Sequence, residues 1–159
     1  MLYVIIFLIL FFPVSFLLIS GNILYSLFFT GENTLSAIGW SKKLNTGNWK
    51  LQNSNLVALF GNINLKLTES DLDFKKVRSR KVKLELSALA GNITVILPED
   101  TSFIAENKVF FGKTEINDIT QTGLYSKKAI DNEKSTDENK VDFLFTTKSI
   151  LGKVEIKTE

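Results

Sequence analysis

Four stretches of this chain share one pattern, and that repeat restricts the possible folds more than any other feature. They are Leu59-Phe60-Gly61-Asn62-Ile63-Asn64-Leu65, Leu89-Ala90-Gly91-Asn92-Ile93-Thr94-Val95, Phe110-Phe111-Gly112-Lys113-Thr114-Glu115-Ile116 and Ile150-Leu151-Gly152-Lys153-Val154-Glu155-Ile156. Each has two apolar residues, a glycine, Asn or Lys, and then alternating apolar and polar residues. A period of two is the signature of a half-buried strand. Each copy therefore predicts a strand, a corner marked by glycine and a second strand. Glycine suits the corner in either of two ways: it tolerates positive φ, or it lets neighbouring backbones approach closely. Gly-Asn can also close a two-residue hairpin, which would give an antiparallel sandwich. The glycines lie 30, 21 and 40 residues apart. That reads as a coil of about 21 residues with insertions, and it favours stacked repeats. The expectation is an all-β, stacked-strand, right-handed β-solenoid-like domain over residues 55–159, with a long polar loop at 117–141.

The other end of the chain is a different material. Of residues 1–29, 23 are apolar and none is charged. As a helix this stretch would reach about 43 Å at 1.5 Å per residue, against a hydrocarbon core of about 30 Å. One transmembrane helix over 1–29 is expected, with Tyr3 and Tyr25 at the two interfaces and a kink at Pro13. A cleaved signal peptide fits less well, because no Lys or Arg precedes position 42 and no small-residue cleavage site is evident. Lys42, Lys43 and Lys50 follow the span, so the positive-inside rule places the β domain in the cytoplasm. Residues 30–54, rich in Gly, Asn, Ser and Thr, read as a juxtamembrane linker, with Trp40 near the interface and Trp49 opening the folded domain.

Composition removes most enzyme chemistry. Among 159 residues there is no histidine and no cysteine, so Ser-His-Asp and Cys-His nucleophiles, disulfides and Cys/His metal sites cannot be built. No catalytic, metal or cofactor-binding residue is singled out. Glu99 and Asp100 in Leu97-Pro98-Glu99-Asp100 are adjacent carboxylates, but they lack a second cluster and read as a turn. Lys66, Lys75, Lys76, Arg78, Arg80, Lys81 and Lys83 make a local basic excess. The last of them alternate with Val82 and Leu84 as the solvent side of a strand, and with no interleaved aromatics they do not suggest nucleic acid. Asn92-Ile93-Thr94 matches a glycosylation sequon.

The strings Val57-Ala58-Leu59-Phe60-Gly61-Asn62-Ile63-Asn64-Leu65, Ser87 to Asp100 and Val109-Phe110-Phe111-Gly112 together resemble the C-terminal domain of LiaF-like cell-wall-active antibiotic response proteins. The resemblance implies a bacterial plasma-membrane protein whose β domain follows membrane helices. It also implies a regulator that restrains a sensor histidine kinase responding to envelope damage. The chain differs from those regulators in having one apparent span and in carrying Ala90 before the second glycine. The function expected is non-enzymatic sensing or regulation of cell-envelope stress by contact with a membrane signalling partner. The alternative is an exported, membrane-tethered, adhesin-like or structural β-helix protein.

Overall fold

A computed structural model describes residues 33–45, 48–72, 81–123, 126–132 and 141–159. The expected membrane helix lies outside these residues. Among the described residues, no helix is long and apolar enough to cross a membrane.

The described chain is all-β apart from one 3₁₀ turn at Glu69–Asp71. Twelve strands form two six-stranded sheets. In chain order they are β1 (Thr34–Ala37), β2 (Ser41–Leu44), β3 (Ser54–Ala58), β4 (Asn62–Lys66), β5 (Lys81–Ala88), β6 (Asn92–Leu97), β7 (Phe103–Val109), β8 (Lys113–Ile116), β9 (Ile119–Thr122), β10 (Ser126–Asn132), β11 (Asp142–Ser149) and β12 (Lys153–Thr158). One sheet runs β1-β3-β5-β11-β7-β10 and the other β2-β4-β6-β12-β8-β9. At each corner the chain passes from the first sheet to the second. The strands on either side of a corner belong to different sheets, so the hairpin alternative does not hold. Like strands of successive coils pair in parallel, as in Ile63 opposite Ile93 and Ile93 opposite Val154.

The alternation predicted from sequence sorts side chains as expected. Ile63, Leu65, Ile93, Val95, Val154 and Ile156 are fully buried between the sheets, and Leu56, Leu84, Leu86 and Phe145 meet them from the other side. Phe145 packs edge-on to Phe103 at 5.7 Å and lies stacked with Phe143 at 5.6 Å. Burying each such side chain contributes roughly 1.5–3 kcal/mol.

Two features correct the sequence reading, and a third adds to it. First, the expected linker at 30–54 contains a complete coil, β1 and β2, whose corner is Ile38-Gly39-Trp40. Second, the expected loop at 117–141 contains two strands. β9 folds back antiparallel on β8 through a turn at Asn117, with φ 48°, and β10 runs antiparallel to β7. Their polarity reflects their place at the sheet edges, where solvent takes up one side. Third, the coils do not stack in chain order. The last coil, β11–β12, is inserted between β5–β6 and β7–β8, pairing in parallel with both.

The corners explain the glycines. None of the four repeat glycines has positive φ; the positive values belong to Gly39, Gly123, Asn33 and Asn117. What glycine provides is close approach. A methyl group on Gly91 would land on the carbonyl oxygen of Gly61 and press on Ala58 Cβ, and one on Gly61 would meet the Trp40 carbonyl and Ala37 Cβ. The same oxygens accept ladder hydrogen bonds, from Asn62 N to Trp40 O at 3.1 Å and from Asn92 N to Gly61 O at 3.0 Å. Backbone stands directly against backbone here, with no flexible side chain to give way. Gly91→Val should therefore destabilise the protein by about 3 kcal/mol or more, the scale of severe overpacking. Chemical denaturation checks this, and an unchanged midpoint would contradict the close approach.

Candidate interaction surface

The corners stack in the order Ile38-Gly39-Trp40, Leu59-Phe60-Gly61, Leu89-Ala90-Gly91, Ile150-Leu151-Gly152 and Phe110-Phe111-Gly112. Backbone hydrogen bonds link each to the next, including Ala90 N to Leu59 O at 2.8 Å and Phe111 N to Ile150 O at 2.8 Å. Because the third position lies against the neighbouring coil, the second position must point outward. Phe60, Leu151 and Phe111 occupy it and are 69%, 65% and 63% exposed; Trp40 is 59% exposed, with Phe110 and Ile38 also open. Five stacked corners at the usual strand spacing of about 4.8 Å form a ridge roughly 19 Å long. Six of the nine exposed large apolar side chains among the described residues lie on it. Isolated exposed hydrophobes are ordinary, whereas several on neighbouring corners, here interrupted only at Ala90, mark a contact surface.

Beside the ridge, the first residue of each second-sheet strand forms a polar ladder. Asn92 Nδ2 donates to Asn62 Oδ1 at 2.9 Å, and Asn62 Nδ2 donates to Ser41 Oγ at 3.3 Å. The ladder continues into Lys153 and Lys113. Lys113 contacts Glu115 at 2.9 Å, Lys153 bridges Glu115 at 3.1 Å and Glu155 at 3.0 Å, and Lys157 reaches Glu155 at 3.2 Å. Hydrogen bonds from Lys113 and Lys153 bring the Glu115 carboxyl down from 4.5 to about 2. Partial burial works against the Glu155 charge, but Lys153 and Lys157 hold its carboxyl below the ordinary value. Lys153 is raised, chiefly by its bond to Glu155. This network charges the flank of the ridge without providing an acid or base poised near neutrality.

Elsewhere the geometry offers little chemistry. Pro98 to Thr101 is a turn closed by Thr101 N to Pro98 O at 3.1 Å, and its Glu99 and Asp100 are exposed. Lys81 and Lys83 are exposed and alternate with buried Val82 and Leu84, as a solvated strand face should, while residues 73–80, with Lys75, Lys76, Arg78 and Arg80, lie outside the described residues. Trp49 is buried and Trp40 is not. Asn92 of the sequon sits at the corner in the amide ladder. Sequence reasoning missed the buried polar side chains, among them Thr114, Gln121 and the pair in which Thr147 Oγ1 donates to Asn107 Oδ1 at 2.8 Å. All of these side chains are uncharged. Among the described residues, no group of three or more acidic side chains is placed to hold a metal ion. The ridge was missed too, although Phe60, Phe110, Phe111 and Leu151 all precede a repeat glycine and their outward direction follows from its inward one.

Glu115 has its depressed value only in the folded state, so its contribution is complete above pH 4.5 and is lost as pH falls through about 2. Glu115→Gln should lower the melting temperature slightly at pH 7. The gap from the parent should close between pH 4.5 and 2 and shrink with salt. Melting curves across that range test it, and a gap that widened in acid would contradict the assignment.

A crystal structure of a candidate cell adhesion protein from Clostridium sporogenes ATCC 15579 shares the fold, with a TM-score of 0.54 at 18% identity. The match covers 79% of this chain and 54% of that one, so the present chain spans about half the length of its structural relative. No curated protein matches. The family described as cell wall-active antibiotics response LiaF, C-terminal, matches residues 38–156, from the first corner to the end of the last coil's core. The chain belongs to the LiaF-like C-terminal family.

Proposed function

We propose that this protein is a membrane-anchored, non-enzymatic regulator of the cell-envelope stress response. A single helix over 1–29 carries a right-handed β coil on the cytoplasmic side of a bacterial plasma membrane. The domain acts by contact with a membrane signalling partner of the sensor histidine kinase class. The observation that carries this reading is the family match over residues 38–156, which names the response to cell-wall-active antibiotics. Two further observations support it. The chain has no histidine or cysteine with which to build common catalytic sites, and its most distinctive surface is an apolar contact ridge.

A second reading, an exported and membrane-tethered adhesin-like protein, is favoured by the structural likeness to the Clostridium sporogenes protein. At 18% identity that likeness speaks to fold, and fold alone does not transfer function. The readings differ in the side of the membrane. The chain has no native cysteine, so Glu69→Cys, at an exposed turn, gives a single reactive thiol. On the regulatory reading, a membrane-impermeant maleimide labels it only after lysis. Deleting the gene should also raise a cell-wall-stress reporter severalfold in unstressed cells. Labelling of intact cells together with an unchanged reporter would favour the tethered alternative.

A further inference from the structure

We infer that the corner ridge is a lipid-contact edge that lays the β coil along the surface of an anionic bilayer. The inference rests on the membrane-anchor part of the proposed function.

Three observations point to lipid. The ridge is linear, because every corner is hydrogen-bonded to the next in one ladder. Phe60, Leu151 and Phe111, the second residues of their corners, can therefore meet a flat surface together, which a line of tips suits better than it suits a pocket. The side chains are those of an interface: four of the six exposed apolar residues on the ridge are aromatic, and aromatic rings settle at the headgroup level. The charge beside them is complementary. Lys108 and Lys148 lie one residue before the entries Val109 and Ser149 of the last two corners, and Lys113 and Lys153 leave them, so Phe110, Phe111 and Leu151 are bracketed by four lysines. Basic residues near apolar tips are attracted to anionic headgroups. Glu115 and Glu155 lie two residues farther from the corner and neutralise part of this charge through Lys113 and Lys153.

The test uses the full chain carrying one spin label, at Leu151→Cys or Phe111→Cys on the ridge, or at Glu69→Cys beyond the far end of β4. These three positions are exposed, so the substitutions leave packing intact. The protein is reconstituted into vesicles of phosphatidylglycerol and phosphatidylcholine, and power saturation compares collisions with oxygen and with an aqueous nickel chelate. The expected result is a severalfold preference for oxygen at 111 and 151, a preference for the chelate at 69, and a weaker contrast when phosphatidylglycerol is omitted. Vesicle flotation reports the anchor separately. A chain that floats while all three labels are equally open to the chelate overturns the lipid contact alone, and a chain that does not float overturns the anchor as well. Spin–spin broadening at 151 that grows with protein density would assign the ridge to a second copy and overturn the inference.

Discussion

The contact on which the rest of this fold depends is a backbone carbonyl resting on a glycine Cα in the neighbouring coil. At Gly61, Gly91 and Gly152, the position a Cβ would take is filled by the carbonyl oxygen of Trp40, Gly61 and Gly91 in turn. That approach lets the corners hydrogen-bond as a continuous ladder, so the two sheets remain in register through all five coils. Because the third corner residue lies against the stack, the second is left facing outward. The apolar ridge is thus a direct consequence of the packing that holds the coils together, and its chemistry can vary without cost to the core.

The same contact is directional, and it marks where the stack begins and ends. A Cβ on each glycine would also press on the residue entering the preceding corner: at Gly61 on Ala37, at Gly91 on Ala58, at Gly152 on Ala88 and at Gly112 on Ser149. Every corner that bears another coil therefore enters with a small residue. Val109 enters the remaining corner and carries no glycine upon it, which suits the coil at the end of this ladder. At the opposite end Trp40 occupies the glycine position, where no described coil lies beyond to collide with it. The chain-terminal coil has both a small entry residue, Ser149, and a glycine, Gly152, so it satisfies the requirements of an interior place. Its insertion between β5–β6 and β7–β8 follows.

Much of this was legible in the sequence, and the misses have physical causes. Strands after each glycine were readable because period-two alternation reports burial directly, as at Ile63, Leu65, Val154 and Ile156. The first coil escaped because the contact that demands glycine acts on only one side, and an end coil is exempt from it. β9 and β10 escaped because an edge strand needs few apolar residues; Thr120, Gln121 and Thr122 read as loop until Ile119 is set opposite Ile116. Coil order was encoded in the sizes of Ala88, Val109 and Ser149, a signal that has meaning only once the glycine contact is known. The candidate surface was half legible: its residues belong to the repeat, while their exposure required the geometry of the corner.

The central claim is the stacking order that the glycine contacts impose, and paired cysteines read it directly. Leu144 lies opposite Lys83 on one side and Ile104 on the other, all three facing solvent. Adjacent strands bring Cα atoms within the roughly 4.4–6.8 Å that a disulfide spans. In the otherwise cysteine-free chain, mild oxidation followed by peptide mapping should find a disulfide in the Lys83→Cys/Leu144→Cys variant and in the Leu144→Cys/Ile104→Cys variant, but none in the Lys83→Cys/Ile104→Cys variant. A disulfide in the Lys83→Cys/Ile104→Cys variant with none in the Lys83→Cys/Leu144→Cys variant would show the coils stacked in chain order and would contradict the account.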